Sequence, residues 1–371
     1  MIDAPVWETT PARALPELTK ATAADVCVVG LGGSGLACVH ALLSAGRSVV
    51  GVDAVTVAGA AAGRNGGFLL GGLAMFHHDA AHRLGRAVAT EIYEETLKQI
   101  AHMAAETPAA VRRTGSLRIA QSLAEAEDCS RQHAAMRLDG LPVEDYDGAE
   151  GCGLLFPGDA AFHPALHCWM LATQAVDRGA SLFVGSPAIA IENGCVITPR
   201  GRVTAQCVVV AVDGRIETIL PELAPRVRTA RLQMLATAPV LGSRLPYPVY
   251  ARWGSDYWQQ LPDGRVVLGG FRDAGGDAEW TTSGRTSEPV QAALTAFLRD
   301  RLRVTEPVTH RWAANVGYTR SGMPILEEVR PGVWAIGAYS GTGNVIGALC
   351  GRAVAEQIAH GVSRLADLLR N

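Results

Sequence analysis

The chain has 371 residues, 48% of them hydrophobic and 19% charged, with a formal net charge of -3 and a pI near 6.4. This length suffices for one large two-part fold or for two domains with hydrophobic cores, and the composition excludes a disordered chain. The charge argues against a nucleic-acid partner, which would require a basic patch, and favours small-molecule ligands.

Cysteine usage and hydropathy exclude further classes. The eight cysteines contain no C-x-x-C pair, so neither a zinc ribbon nor a thioredoxin-like motif is predicted. Residues 1–22 lack the apolar core of a signal peptide. No uninterrupted apolar run reaches the roughly 18 residues expected of a membrane span. We therefore expect a soluble, cytoplasmic protein.

The first predicted elements form a parallel βαβ unit. Apolar strands at 24–30 and 47–53 flank a glycine-rich turn at 30–35 and a run with helical spacing at 36–45. The second strand ends on Asp53. Strand, turn, helix and strand in this order are typical of a nucleotide-binding α/β fold.

Later elements change in character along the chain. Helices are predicted at 82–106, 125–138 and 164–178, and strands at 115–120, 180–184, 187–191 and 207–212. Beyond Pro225, short strands at 231–237, 248–253, 257–261 and 266–270 predict an antiparallel sheet, followed by a helix at 290–303. A buried strand at 332–337 and a helix at 343–360 return to the α/β pattern.

The glycine turn has the spacing of a dinucleotide-binding fingerprint. Gly30, Gly32 and Gly35 have G-x-G-x-x-G spacing between strand and helix, and Asp53 follows at the end of the next strand. Gly33 and Ser34 complete the turn, where the helix N-terminus would receive phosphates. Asp53 would bind ribose hydroxyls and repel a 2'-phosphate, which disfavours NADP. FAD and NAD both stay open at this point.

The stretch "GAAAGRNGG" follows this unit and contains more glycine than a connecting loop requires. Small residues allow the backbone to lie against a large planar ligand. The segment "GRNGG" resembles the flavin-contacting loop of the glycine oxidase, D-amino acid oxidase and sarcosine oxidase family, nearest its gamma-glutamylputrescine oxidase-like members. The resemblance implies that this loop contacts flavin through Gly63, Arg64, Asn65, Gly66 and Gly67. It also implies that Ala54, next to Asp53, contacts the cofactor.

Three further segments resemble the same family in the same order. Within 179–194, Ala188 corresponds to a residue that contacts the adenine end, and within 207–215, Ala211 and Gly214 correspond to residues that approach the dinucleotide closely. The segment 317–361 resembles the flavin-binding C-terminal segment. Its implied contacts are Gly322, Gly341, Thr342, Gly343 and Asn344.

The resemblance implies an α/β fold in which a Rossmann-like FAD-binding domain is interleaved with a substrate domain built on a mixed or antiparallel β-sheet with helices. We expect the FAD-binding domain at 1–80, 145–225 and 305–371, and the substrate domain at 81–144 and 226–304. Because no signature of covalent attachment is present, FAD is expected to bind noncovalently. The implied reaction oxidises the C–N bond of a small amine or amino acid by hydride transfer to flavin N5. Water then hydrolyses the imine.

Aromatic residues of the predicted antiparallel sheet are candidates for the substrate pocket. An aromatic enclosure excludes water and can face a cation, although each ring alone could equally fill a core. The candidates are Tyr250, Tyr257 and Trp258, with Trp312 and Tyr339 from the C-terminal segments.

Two departures from the family pattern bear on the substrate and on the electron acceptor. Val316 occupies the position of the family's carboxylate-binding arginine, and Ser321 that of a neighbouring acid. A substrate carboxylate could instead meet Arg64, Arg252 or Arg320. Moreover, neither lysine of the chain lies where the family's oxygen-activating lysine would be expected.

Several alternatives therefore stay open. With O2 as the expected acceptor, the product would be H2O2; a dehydrogenase with another acceptor, an NAD-linked enzyme and a noncatalytic flavin-binding subunit are the alternatives. The histidine pairs at 77–82 and 163–167 have no completing ligands, so no metal site is predicted. The oligomeric state is not predicted.

Overall fold

A computed structural model describes residues 4–7, 14–192, 194–241 and 245–370 of the protein. The chain divides into two compact units. Unit 1 consists of Arg64–His163, Ala230–Asn315 and the described residues of 1–8; unit 2 consists of Pro164–Thr229 and the described residues of 9–63 and 316–371. These boundaries place 4–7, 64–80, 145–163 and 305–315 in unit 1, whereas all four stretches were expected in the FAD-binding domain; 226–229 lie in unit 2 but were expected in the substrate domain. The functional assignment of the segments stays a prediction.

The described residues form helices and strands that alternate along the chain. The helices are α1 (Gly33–Ser44), α2 (His77–Leu84), α3 (Arg86–Glu106), α4 (Leu123–Leu138), α5 (Pro164–Asp177), α6 (Ile216–Ile219), α7 (Arg272–Gly275), α8 (Glu288–Asp300), α9 (Val345–His360) and α10 (Arg364–Leu369). The first strands are β1 (Ala21–Val29), β2 (Val49–Val52), β3 (Phe68–Leu69), β4 (Val111–Arg112), β5 (Ser116–Ile119), β6 (Glu144–Gly148), β7 (Gly151–Phe156), β8 (Ala160–Phe162), β9 (Ser181–Phe183) and β10 (Ala190–Glu192). The later strands are β11 (Cys195–Ile197), β12 (Arg202–Val210), β13 (Val227–Pro239), β14 (Val249–Ala251), β15 (Asp256–Gln260), β16 (Arg265–Gly269), β17 (Val308–Thr319), β18 (Ile325–Arg330) and β19 (Val333–Gly337).

Unit 2 is built on a largely parallel sheet. Its strand order is β10-β11-β12-β1-β2-β9, and β19 pairs in parallel with β12. β1 lies parallel to both β12 and β2, as the predicted βαβ unit requires. Valines of these strands are fully buried in one core, including Val52, Val208 and Val210. α1 packs against α5 and α9. The predicted Rossmann-like α/β fold is confirmed.

Unit 1 contains a mixed sheet in the order β17-β13-β16-β15-β14-β5-β7-β6. Most pairs are antiparallel, whereas β14 and β5 run parallel. Side chains alternate between the two faces of a strand. One face joins a core with α8, to which Leu117, Val249 and Trp258 belong. The opposite face carries Arg118, Tyr250, Tyr257 and Gln259, one residue away from those core positions.

One predicted helix of unit 1 is divided in the structure. The predicted helix at 82–106 is two helices, α2 and α3, because Gly85 adopts a φ of 85° between them. A glycine with positive φ ends the first helix and redirects the chain. α2, α3 and α4 lie beside a second core cluster that includes Phe76, Tyr93 and Met136. The small sheet β3-β8-β4 completes the unit.

Candidate functional site

The glycine turn of unit 2 brings three backbone segments into close contact. Gly30 has a φ of 104°, and a Cβ on it would lie 2.6 Å from the carbonyl oxygen of Ala211. A Cβ on Gly35 would lie 1.9 Å from the carbonyl oxygen of Gly30. No side chain fits at either position, so these two glycines are required by the packing of α1 on β1 and β12.

Gly33, in contrast, faces open space. A Cβ on Gly33 would meet no atom of the described residues within 4 Å. Gly33 is the first residue of α1, Gly32 provides no capping side chain, and the first turn has no acidic residue. The first amides of a helix have no partner inside the helix and carry a partial positive charge. This helix start therefore has the space and the donors to receive a phosphate.

Asp53 lies at the end of β2, next to this turn. Its Oδ2 accepts a hydrogen bond of 2.8 Å from the Leu31 amide, and its Oδ1 accepts one of 2.9 Å from the Val55 amide. Burial raises the pKa of Asp53, whereas the two amide donors lower it. Each carboxylate oxygen can accept a second hydrogen bond. The side chain is thus fixed in orientation and still able to bind ribose hydroxyls.

A second loop of unit 2 lies between β19 and α9. Ala338, Ser340 and Gly341 have φ values of 51°, 52° and 98°. Asp213 holds this loop, because its Oδ1 accepts a 2.9 Å hydrogen bond from the Tyr339 amide. Burial raises the pKa of Asp213 to about 7. Two non-glycine residues in the left-handed region are strained, and such strain is concentrated at functional sites.

α9 begins directly after this loop, and no side-chain hydrogen bond caps its N-terminus. Asn344 is the N-cap residue but forms no capping hydrogen bond with its side chain, and the first turn has no acidic residue. Thr342 Oγ1 donates to the Tyr339 carbonyl at 2.9 Å. The sequence therefore predicted correctly that a helix N-terminus follows the glycine turn; its contacts with flavin stay a prediction.

The remaining predicted cofactor residues lie near strand ends or turns of unit 2. Ala188 packs against the core of the parallel sheet, and Ala211 directly follows β12 and is buried. Gly322 forms a turn after β17 with a φ of 72°. The others of this group are Ser34 in α1, Ala54 after Asp53, Gly63 at the end of a short 3-10 helix, Gly214 after Asp213, and Gly343 before α9.

The rest of the "GRNGG" loop belongs to unit 1, where side-chain donors bind each of its carbonyls. Trp312 Nε1 donates to the carbonyl of Arg64 at 2.9 Å, and Trp7 Nε1 donates to that of Asn65 at 2.7 Å. Gln259 Nε2 donates to the carbonyls of Gly66 and Gly67, at 2.6 and 3.0 Å. Arg112 in turn donates to Gln259 Oε1 at 3.1 Å. The loop conformation is therefore fixed from outside the loop.

A group of three aromatic rings lies against this loop. Ring centroids are 5.1 Å apart for Phe68 and Tyr250, 5.9 Å for Phe68 and Tyr257, and 5.8 Å for Tyr250 and Tyr257. A Cβ on Gly66 would lie 2.5 Å from the Phe68 ring and 2.9 Å from the Tyr257 ring. The loop and the rings thus form one continuous surface within unit 1, in which a larger residue at Gly66 would not fit.

The other three predicted pocket residues are all buried, and Tyr339 belongs to unit 2. Trp258 projects from the opposite face of β15, where it is 3% exposed and packs on Phe297. Trp312 is fully buried behind the loop, and Tyr339 is buried in unit 2, where burial raises the pKa of its hydroxyl.

The predicted arginines also differ in exposure and in the partners that their guanidinium groups already bind. Arg252 forms ion pairs with Asp256 and Asp273, so its donors are already engaged. Arg320 is exposed in unit 2. Arg64 donates through Nη1 to the carbonyl of Ala313 at 3.0 Å. None of these arrangements by itself marks a carboxylate receptor.

Sequence reasoning did not identify Trp7, Asp213 or Gln259 as site residues. Asp213 could have been found, because it stands between Ala211 and Gly214 within one motif. Gln259 lies two positions from Tyr257, which places both on one face of a strand. Trp7 has no comparable signal, since it lies 58 positions from the residue that it binds.

Within the described residues, no group of three or more His, Cys, Asp or Glu side chains could hold a metal ion. The same part of the chain contains no helix that is both long and apolar enough to cross a membrane.

The glycine turn, Asp53 and the uncapped start of α1 define a protein that binds an adenine dinucleotide. Residues 25–357 match the family model described as DAO, FAD dependent oxidoreductase, and the chain belongs to this family. FAD as the cofactor and an oxidoreductase as the class of enzyme are thereby confirmed. The donors and the open space at Gly33 fit the phosphates of this cofactor, and Asp53 fits its ribose.

Known proteins similar to the chain are oxidoreductases by name. "Probable oxidoreductase OrdL" of Rhizobium meliloti is 28% identical, over 98% of this chain and 89% of its own length. Gamma-glutamylputrescine oxidoreductase of Escherichia coli is 26% identical, over 91% of this chain and 84% of its own length. The crystal structure of glycine oxidase from Geobacillus kaustophilus superposes with a TM-score of 0.74 at 19% identity, covering 91% of this chain and 95% of that one.

Proposed function

We propose that the protein oxidises the C–N bond of a small amine or amino acid, giving an imine that water hydrolyses. Bound FAD, held noncovalently, supplies the hydride acceptor at flavin N5. Support comes from the family and from the amine-directed names of a relative and a structural neighbour, gamma-glutamylputrescine oxidoreductase and glycine oxidase. The cytoplasmic location expected from the sequence stays a prediction.

The observation that carries this proposal is the aromatic surface beside the "GRNGG" loop. Tyr250, Tyr257 and Phe68 contact one another and reach the loop at Gly66. We infer that this loop contacts flavin and that the rings line the place of the substrate amine. Aromatic faces exclude water and attract a cationic amine on arrival.

The chain's own contribution is to bind and orient the substrate. Hydride loss requires the nitrogen lone pair, so the ammonium must lose its proton before the transfer. Water-poor aromatic surroundings disfavour the charged ammonium and therefore assist this deprotonation. Positioning the carbon next to the acceptor supplies much of the remaining rate enhancement. No dedicated general base is needed in this scheme.

The acceptor of the electrons is proposed to be O2, with H2O2 as the product. A second candidate, a dehydrogenase with another acceptor, is favoured by the positions of the lysines. Lys20 is exposed, and Lys98 is exposed and pairs with Glu95. Neither ammonium is enclosed, and an enclosed cation near flavin is what the oxidase pattern would require. A noncatalytic flavin-binding subunit is the remaining alternative.

The test is anaerobic reduction of the FAD-loaded protein, followed by air. We expect one or more members of an amine and amino acid panel to bleach the flavin absorbance, and H2O2 to form when air is admitted. Bleaching that persists in air, but is reversed by an artificial acceptor, would identify a dehydrogenase. A yellow protein that no amine bleaches would refute the proposed function.

A matched pair of glycine variants links the activity to the aromatic surface. Gly66→Ala adds a methyl group that would collide with the Phe68 and Tyr257 rings, so this substitution should slow flavin reduction. Gly284→Ala, also in unit 1, meets no described atom within 4 Å and should leave the reduction rate unchanged. Equal reduction rates in the two variants would exclude the proposed role of the rings.

A further inference from the structure

A cavity of about 30 Å³ lies inside unit 1, between α2, α3 and the face of the mixed sheet that carries Tyr250. An enclosed water requires roughly 10–15 Å³. The space therefore holds about two waters or one small polar group. Its walls combine apolar residues with the polar side chains of Tyr93, Ser116, Arg118 and Asp159.

Arg118 is half-buried in this cavity and forms no ion pair with a described residue, although its charge acts on the nearby Asp159 carboxylate. Its Nε is fully enclosed and has no hydrogen-bond partner among the described residues, and no carboxylate of these residues lies within ion-pair distance. By comparison, Arg231 and Arg252 are bound by Glu279 and Asp256. Burial of an unpaired cation is unfavourable. Arg118 therefore offers donors that the rest of the chain does not use.

Aromatic rings hold the Arg118 side chain in place. Its Cζ lies 4.3 Å from the centroid of the Phe76 ring and 5.8 Å from that of Phe156. Cation–π contacts compensate a part of the desolvation and leave the guanidinium edge free for hydrogen bonds. A planar, pre-oriented guanidinium is suited to a carboxylate, which it binds through two parallel hydrogen bonds.

Asp159 shares the cavity with Arg118 but forms no ion pair with it. Its oxygens accept hydrogen bonds of 2.8 Å from the Gly71 amide and 2.6 Å from Ser116 Oγ. Burial raises the pKa of Asp159 to about 7, although these two hydrogen bonds and the positive charge of Arg118 lower it. A second carboxylate in the cavity would raise this pKa further, since like charges disfavour ionisation. Asp159 then presents a protonated carboxyl group, which can donate a hydrogen bond instead of repelling an anion.

The register of the sheet relates this cavity to the aromatic surface. Tyr250 on β14 is paired with Arg118 on β5, and Tyr257 on β15 is paired with Tyr250. Neighbouring strands are spaced about 4.8 Å apart, so about 10 Å separates the strands of Arg118 and Tyr257. The guanidinium leans away from β14, because Phe156 belongs to β7 on the other side of β5. An α-carboxylate is too close to its nitrogen to span this distance.

We propose that Arg118 binds a substrate carboxylate that several bonds separate from the oxidised carbon. The preferred substrate is then an amine with an acidic far end, in which Tyr250 contacts the chain between the two ends. This specificity rests on the proposed function for the amine end, whereas carboxylate binding by Arg118 does not.

The first test compares substrates on the FAD-loaded protein. ω-Aminoalkanoates of increasing length are measured against n-alkylamines of matched length, in the wild type, Arg118→Gln, Arg118→Lys and the exposed control Arg299→Gln. We expect kcat/KM to favour the aminoalkanoate by roughly 10- to 100-fold in the wild type and the control. Arg118→Gln should abolish this preference without slowing the alkylamine, and Arg118→Lys should retain a part of it. Loss of both substrates to the same extent, or no preference in the wild type, would overturn the proposal.

The second test is independent of turnover. Hexanoate is titrated calorimetrically into the same FAD-loaded variants, after equal flavin content and equal melting temperature have been verified. We expect binding in the wild type and in Arg299→Gln, and at least tenfold weaker binding in Arg118→Gln. If no amine is oxidised but this difference is found, the proposed function fails and the carboxylate site stands. Equal hexanoate binding in wild type and Arg118→Gln, or none in the wild type, refutes the carboxylate site.

Discussion

Gln259→Leu tests whether the loop at 64–67 is fixed from outside and whether flavin binding depends on it. Gln259 is 1% exposed and binds the carbonyls of Gly66 and Gly67. Leucine has a similar size but no donor. The Gly67 carbonyl keeps the Phe162 amide at 3.0 Å, whereas the Gly66 carbonyl loses its side-chain donor. Arg112 loses the acceptor that Gln259 Oε1 provides.

The magnitude follows from these contacts. A buried unsatisfied acceptor costs about 1–3 kcal/mol, and a lost hydrogen bond from a charged donor about 1.5–3 kcal/mol. We therefore expect the free energy of unfolding to fall by about 2.5–6 kcal/mol, the sum of the two costs. FAD binding that requires the native loop conformation must also meet the cost of the unsatisfied Gly66 carbonyl. At 1.4 kcal/mol per factor of ten, this cost raises the Kd for FAD by roughly 5- to 100-fold.

The assay is a pair of measurements on apoprotein and FAD-loaded protein. Urea unfolding gives the stability, and quenching of FAD fluorescence on titration gives the Kd. The control is Gln260→Leu, one residue further, where the side chain bonds the Val240 and Gly264 carbonyls instead of the loop. If the Gln259→Leu protein has a Kd for FAD within about twofold of that of the wild type, flavin binding does not depend on the loop conformation that Gln259 stabilises.

Four further substitutions have contrasting expected outcomes. Gly33→Ala should stabilise the apoprotein by up to about 1 kcal/mol and weaken FAD binding in a titration, whereas Gly35→Ala should destabilise the apoprotein in urea. Burial raises the pKa of Asp159 from 3.8 to about 7. The neutral carboxyl group therefore contributes to the free energy of unfolding; this contribution is complete below about pH 4 and is lost as the pH rises to about 7. Asp159→Asn should remove this loss, so its melting temperature should vary less with pH from 4 to 8 than that of the wild type. Arg252→Met should lower the stability by about 1.5–3 kcal/mol, because Asp256 loses its partner, and should leave KM for carboxylated substrates unchanged in steady-state assays.

The parallel sheet of unit 2 could be predicted because its signals are local. β1, the glycine turn and β2 lie within one stretch of chain, and Asp53 follows at the expected end of β2. β17 was missed, because His310, Arg311 and Asn315 interrupt its apolar pattern. Their polar contacts are made across the fold, for example from Arg311 to Gln291 on α8. A pattern along the chain does not contain that information.

Candidate site residues were predictable where backbone geometry demands one residue type. Gly30 and Gly35 are required by contacts that admit no Cβ, and glycine spacing made them visible. The aromatic pocket was harder to predict, since composition alone grouped Tyr257 with Trp258. Adjacent residues of a strand point to opposite faces, so these two side chains cannot line one pocket. Because this alternation follows from the positions of residues along a predicted strand, it is sufficient to assign the two rings to opposite faces.

Glycine explains only one half of the "GRNGG" loop. Gly66 and Gly67 leave room beside the backbone, but room alone allows many conformations, and glycine loses more entropy on ordering than any other residue. The indole of Trp7, the indole of Trp312 and the amide of Gln259 restrict that freedom by binding consecutive carbonyls. Because these side chains bind the carbonyls on one side of the loop, the other side of the loop has a defined conformation. A ligand that meets this surface therefore binds a preorganised loop and is spared most of the ordering cost.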